Sequence, residues 1–166
     1  DGMWSPLTPW VAPGSRYFFQ SIYDPVGQRF LIYGGDGSVT SLSDVWALSL
    51  SGSPVWTQLF PSGADSSTPI VEAAAVYDAV RQRMLVFGGA SVARNNMNDV
   101  WALSLTGTPQ WTKLSVTGTP PSGRAYAAGV YDELRDALVV FGGLDANGTY
   151  LADVWSLALG DSNKWT

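Results

Sequence analysis

An all-β chain of stacked four-stranded sheets is the fold class that the sequence predicts, on three observations. One set of landmarks recurs three times at a near-constant interval, each copy reads as four short strands, and no helical period competes. Tyr23-Asp24, Tyr77-Asp78 and Tyr131-Asp132 are spaced 54 and 54 residues apart, as are Gly34-Gly35, Gly88-Gly89 and Gly142-Gly143. Asp44-Val45-Trp46, Asp99-Val100-Trp101 and Asp153-Val154-Trp155 step by 55 and 54, as do Trp56-Thr57, Trp111-Thr112 and Trp165-Thr166. A period of about 50 residues with this content describes a propeller or solenoid unit repeated side by side.

The elements follow in order within each copy. The first strand, at residues 19–23, 73–77 and 127–131, is built of small and apolar residues and runs into Asp. The second, at 30–33, 84–87 and 137–141, is a continuous apolar run, the mark of a strand covered on both faces. The third, at 45–50, 100–105 and 154–159, puts Trp, Leu and Leu on one face and Val, Ala and Ser on the other. The fourth begins at Trp56 and Trp111 and runs to Leu59 and Leu114. Turn residues mark the junctions, as in Pro25-Val26-Gly27 and Ser51-Gly52-Ser53-Pro54. A buried strand that ends in paired glycines can turn through positive φ and let another backbone approach closely. A sheet with two apolar faces must stack on a neighbour, and the recurring Trp46, Trp56, Trp101, Trp111, Trp155 and Trp165 read as the packing between sheets.

Composition removes several function classes. The 166 residues carry a net charge of -5, with nine Lys and Arg and no run of them, which argues against a track for phosphate backbones. No apolar run approaches the ~20 residues that span a bilayer. There is no Cys and no His, so thiolate nucleophiles, Cys or His metal sites and Ser-His-Asp chemistry are excluded. No metal and no cofactor is expected. The opening Asp-Gly-Met-Trp lacks the pattern of a secretory leader, and localisation stays open.

Four apolar residues before a double glycine, followed by two spaced aromatics, resemble the kelch repeat, and the resemblance covers nearly the whole chain. The form with Tyr-Asp before the glycine strand and Asp-Val-Trp after it is similar to bacterial kelch proteins. Membership implies a kelch-type β-propeller, with four-stranded blades around a central channel and the first strand innermost. Kelch repeats often carry Arg before the inner strand; here Arg16 and Arg124 match, and Ile70 departs. Bacterial relatives often place His three residues later, where this chain has Phe19, Ala73 and Ala127.

On this reading residues 1–15 are an outer strand and linker, 16–69 a first blade, 70–123 a second, and 124–166 a third with an incomplete outer strand. Three blades are too few for a closed ring of the known kind. Trp4-Ser5-Pro6-Leu7 matches the fourth-strand sequence that begins at Trp56, while Trp165-Thr166 only opens that strand. The expected solution is a two-fold homodimer of six blades, residues 4–7 of each chain completing the other's last blade. Half of a longer chain, or an engineered half-propeller, is the other reading.

Candidate binding residues lie where the copies disagree. Phe18, Glu72 and Tyr126 are equivalent positions at the inner-strand entry, with Arg16 and Arg124 nearby, and together suit a small polar ligand or a sugar face. Alternatively, the arginines pair with Glu72 or backbone and plug the channel. Trp10 lies outside the repeat positions as a ligand platform, a dimer contact or packing. The loops after each Gly-Gly, 36–43, 90–98 and 144–152, share that mouth and vary most. Asp24 and Asp78 face Arg29 and Arg83 across tight turns as hairpin ion pairs, whereas the third copy has Ala137 in place of Arg. Asp44, Asp99 and Asp153 are expected to accept backbone N–H bonds from the turns before the third strand. Asp145-Ala146-Asn147-Gly148 reads as an Asn-Gly turn. The expected function is a non-enzymatic binding scaffold for a protein or glycan; the rival is a mutarotase-like enzyme with Glu72 as base.

Overall fold

The structure is a computed structural model that describes residues 2–7, 9, 11–63, 70–91, 93 and 95–166. Its strands, in chain order, are β1 (Gln20–Asp24), β2 (Arg29–Tyr33), β3 (Val45–Ser49), β4 (Trp56–Leu59), β5 (Ile70–Val71), β6 (Ala74–Asp78), β7 (Arg83–Phe87) and β8 (Ala90–Ser91). They continue with β9 (Val100–Ser104), β10 (Trp111–Lys113), β11 (Arg124–Ala125), β12 (Ala128–Asp132), β13 (Ala137–Asp145), β14 (Tyr150–Ala158) and β15 (Lys164–Trp165). Among the described residues three large antiparallel sheets result, β1-β2-β3-β4, β6-β7-β9-β10, and β12-β13-β14-β15 with β11 paired to the far end of β13, and β5 and β8 form a two-stranded sheet. The first strands β1, β6 and β12 lie side by side, β6 in the middle.

Two apolar seams hold the sheets together. Ile22, Leu31, Tyr33, Val45 and Ala47 of the first sheet meet Ile70, Met84, Val86, Leu103 and Trp111 of the second. One repeat later, Val76, Leu85, Phe87, Val100 and Ala102 meet Leu138, Val140, Leu157, Leu159 and Trp165. The fourth-strand tryptophans reach back onto the previous sheet, Trp111 against Tyr33 and Trp165 against Phe87, with ring centroids 4.7 and 5.3 Å apart.

The Asp turns are more than surface ion pairs. Asp24 and Asp78 are buried, and each carboxylate takes backbone N–H bonds from its turn, Val26 and Gly27 on Asp24 and Arg81 on Asp78. Arg29 and Arg83 add Nε bonds of 2.8 and 2.7 Å. In the third copy Arg135, two residues before Ala137, supplies the cation to Asp132 at 2.7 Å. The turns also tie sheets together. Arg29 donates to the Leu105 carbonyl at 3.0 Å, and Arg81 makes a paired contact with Asp136 at 2.8 and 2.7 Å and donates to the Leu159 carbonyl.

The first glycines of the first two pairs mark close approaches between repeats. A Cβ on Gly34 would lie 2.6 Å from the Ile70 carbonyl oxygen of the next sheet, and one on Gly88 would lie 2.7 Å from that of Arg124. Both residues have left-handed φ, 65° and 67°. Gly142 has no such neighbour; its nearest contact is Leu151 of its own sheet. The third sheet accordingly shows an open face. Val130, Phe141 and Val154 are 59, 52 and 65% exposed, whereas their counterparts Val76, Phe87 and Val100 are buried.

Candidate functional site

Phe18, Glu72 and Tyr126 are brought together by one repeated device. In each copy the residue before them pairs with the residue just beyond Gly-Gly: Tyr17 with Asp36, Val71 with Ala90, and Ala125 with Leu144. The chain must then step from this short pairing into the inner strand, and it does so through a single left-handed residue. The φ values are 55° for Phe18, 61° for Glu72 and 59° for Tyr126, none of them glycine. Their backbones form a one-way ladder, the Glu72 N–H donating to Phe18 O at 3.2 Å and the Tyr126 N–H to Glu72 O at 2.7 Å. The side chains close over the same spot: the Tyr126 hydroxyl donates to Glu72 Oε1, and the Phe18 ring meets Tyr126 edge-on at 5.6 Å.

Beside this cluster lies a cavity of about 300 Å³. All three loops after Gly-Gly contribute, with Asp36 and Ser41 from the first, Ser91 and Asn96 from the second, and Asp145 and Gly148 from the third. Asn96 donates to the Leu144 carbonyl at 2.8 Å, which ties the second loop to the third. Asp145 caps its own Asn-Gly turn by accepting the Asn147 and Thr149 N–H groups, each at 2.8 Å. The Thr149 N–H leads the influences that hold its carboxyl below the ordinary range. The lining therefore carries carboxylates, amide and hydroxyl groups, and no cationic side chain among the described residues.

Arg16 and Arg124 stand behind this mouth, each spent on its own sheet. Arg16 forks onto both oxygens of Asp44 at 2.6 and 3.0 Å and donates to the Gly34 carbonyl at 3.1 Å. Arg124, almost completely buried, does the same with Asp153 at 2.5 and 3.0 Å and with Gly142. Trp46 and Trp155 donate their indole N–H to these carboxylates at 2.6 and 2.7 Å. Sequence reasoning assigned these carboxylates to turn N–H groups; the fork wins because a guanidinium offers two aligned, charged donors. Burial alone would raise the Asp44 carboxyl, but the Arg16 and Trp46 hydrogen bonds and the Arg16 charge bring it below its usual value. The Arg124 fork pulls Asp153 down to about 2, against a smaller opposing effect of burial.

The second copy, with Ile70 in place of Arg, solves the same problem differently. Lys113 Nζ, from the fourth strand, sits 2.8 Å from Asp99 Oδ1 and over the Trp101 ring. The residue opposite Trp46 in the first sheet is Gln58, so the basic residue at 113 accompanies the loss of the one at 70. Trp4 to Leu7 are exposed and form no strand, while β15 and Thr166 pair along β14. Trp10 lies outside the described residues. The cavity residues that sequence reasoning did not single out, Ser41, Ser91 and Asn96, sit in the loops it marked as the variable mouth.

A family model for the KLHDC2/KLHL20/DRC7 Kelch-repeats domain matches residues 3–166. The chain is a kelch-repeat protein. Among kelch relatives, dynein regulatory complex subunit 7 of Chlamydomonas reinhardtii is 33% identical over 122 residues, 71% of this chain and 10% of that protein. The serine/threonine-protein phosphatase BSL2 of Arabidopsis thaliana is 31% identical over 167 residues, covering 98% of this chain and 16% of the phosphatase. The kelch chain thus spans less than a fifth of the length of these relatives. The solved structure of YjhT superposes with a TM-score of 0.69 at 20% identity, over 96% of this chain and 46% of YjhT. That likeness shows the kelch-type propeller fold alone.

Proposed function

We propose that this chain is a non-enzymatic protein-binding scaffold, one half of a closed kelch propeller whose other half is a second copy. The observation that carries the reading is the open face of the third sheet. Val130, Phe141 and Val154 repeat the positions of Val76, Phe87 and Val100, which are buried against a following sheet. What those positions accept in the molecule is the next sheet of the same repeat, and a first sheet from a second copy is that element. In the completed ring residues 4–7 of each copy extend the third sheet of the other.

Binding belongs at the mouth built by Glu72, Tyr126 and the three loops. Its carboxylates and hydroxyls favour a partner segment that brings donors, a basic or hydroxylated one. Sedimentation of the 166-residue chain is expected to give a dimer at micromolar concentration, and Phe141→Asp a monomer with unchanged far-ultraviolet circular dichroism. A wild-type monomer throughout that range rejects the second copy. The carbohydrate-enzyme reading keeps one observation, the hydroxyl-bound Glu72 carboxylate in the cavity, and requires a sugar-isomerising activity that Glu72→Gln removes.

A further inference from the structure

The second sheet lacks a guanidinium that its two sisters have. Arg16 and Arg124 leave the backbone at the position of Ile70 and reach a carboxylate that is the counterpart of Asp99. At the same place in the second sheet, Ile70, Asp99, Trp101 and Lys113 border a cavity of about 120 Å³, together with Tyr33, Met97 and Trp111. That volume is some four times the ~30 Å³ share of a water in the liquid, enough for the four heavy atoms of a guanidinium. The carboxylate is only half used. Asp44 and Asp153 have both oxygens bonded by a fork, whereas Asp99 Oδ1 meets one ammonium and Oδ2 has no hydrogen bond among the described residues. The ammonium is itself loosely held: Lys113 is 53% exposed and Asp99 36%.

We infer that this cavity is a docking site for the guanidinium of an arginine side chain presented by a partner protein. The carboxylate selects a cation, its two oxygens select a planar fork over a point charge, and the aromatic walls favour the weakly hydrated guanidinium. Lys113 is the resident competitor, which an incoming fork displaces from Asp99 into solvent. The site depends neither on ring closure nor on the mouth, since its walls belong to the first and second sheets of one chain.

Tryptophan fluorescence of the whole chain titrated with N-acetyl-arginine-amide tests the assignment, with N-acetyl-lysine-amide and free arginine as comparisons. Saturable binding of the blocked arginine is expected. Asp99→Asn is expected to weaken it roughly tenfold through loss of the charged acceptor. Lys113→Ala, a change at an exposed side chain, is expected to tighten it, and Ile70→Arg to abolish it by filling the cavity from within. No saturable binding, weaker binding by Lys113→Ala, or equal binding of the blocked lysine overturns the proposal. Tighter binding of free arginine than of the blocked form reassigns the site to the free amino acid and overturns the partner.

Discussion

Single carboxylates in this protein are held in three degrees of enclosure, and their substitution should separate accordingly. Asp78 is fully buried and accepts from Arg81 N and Arg83 Nε. Removing one partner of a buried, hydrogen-bonded charge pair strands the other. Asp78→Ala is therefore expected to lower unfolding stability by about 3–5 kcal/mol. Urea denaturation at fixed protein concentration measures the loss, and Asp132→Ala, at the equivalent but more open turn, should shift the midpoint less. Asp153 makes a different prediction, one of pH. Its folded pKa, about 2, lies below the ordinary aspartate value. A depressed pKa contributes stability in full above the unfolded value, about 3.9, and loses it as pH falls toward the folded one. Asp153→Asn is therefore expected to flatten the acid limb of the stability profile between about pH 4 and pH 2, leaving its shape near neutrality unchanged.

At the scale of the element, the junction after the second strand decides how closely two sheets meet. Gly88 and Gly148 share left-handed φ, 67° and 79°, but a Cβ on Gly88 would press on the Arg124 carbonyl while one on Gly148 meets nothing within 4 Å. Gly148→Ala is expected to cost only the conformational strain, about 1–2 kcal/mol. Gly88→Ala should cost clearly more, and the difference in thermal midpoints reads mainly the approach of the Arg124 carbonyl, with a smaller share from that of Met97. These glycines and the apolar second strands were legible because local chemistry announces them, a positive φ and a strand covered on both faces. The left-handed corner at Phe18, Glu72 and Tyr126 was not. Phenylalanine, glutamate and tyrosine do not advertise such a backbone, and only the pairing of the preceding residue with the loop beyond Gly-Gly imposes it. Lys113 escaped for a related reason: its meaning lies in the Ile70 that precedes it by 43 residues, which no local pattern connects. The mouth was legible as a set of three variable loops, while the Glu72–Tyr126 contact and the Asn96 tie emerge only once the sheets are stacked.

At the scale of the whole molecule, two seams are buried and the copies of their two faces stand at the ends of the array. Gly142 gives the sharpest test of the proposed closure. In one chain a Cβ at its φ of 64° would meet only the Leu151 backbone, its carbonyl oxygen at 3.0 Å, so Gly142→Ala should cost more than Gly148→Ala yet leave the protomer folded. In the closed ring its position is that of Gly34 and Gly88, against which the next carbonyl packs. The same substitution should then block dimerisation in sedimentation. The backbone ladder from Phe18 through Glu72 to Tyr126 adds a polarity to this, because every step donates backward and accepts forward. In the proposed closure a face that gives meets a face that takes, so the third sheet of each copy would meet the first sheet of the other at two equivalent contacts. Such contacts have two fates, a ring where the angle between sheets closes and an endless helical fibre where it does not. A change that alters the wedge angle of one sheet without touching its faces should therefore produce turbidity that grows with concentration, with no rise in monomer.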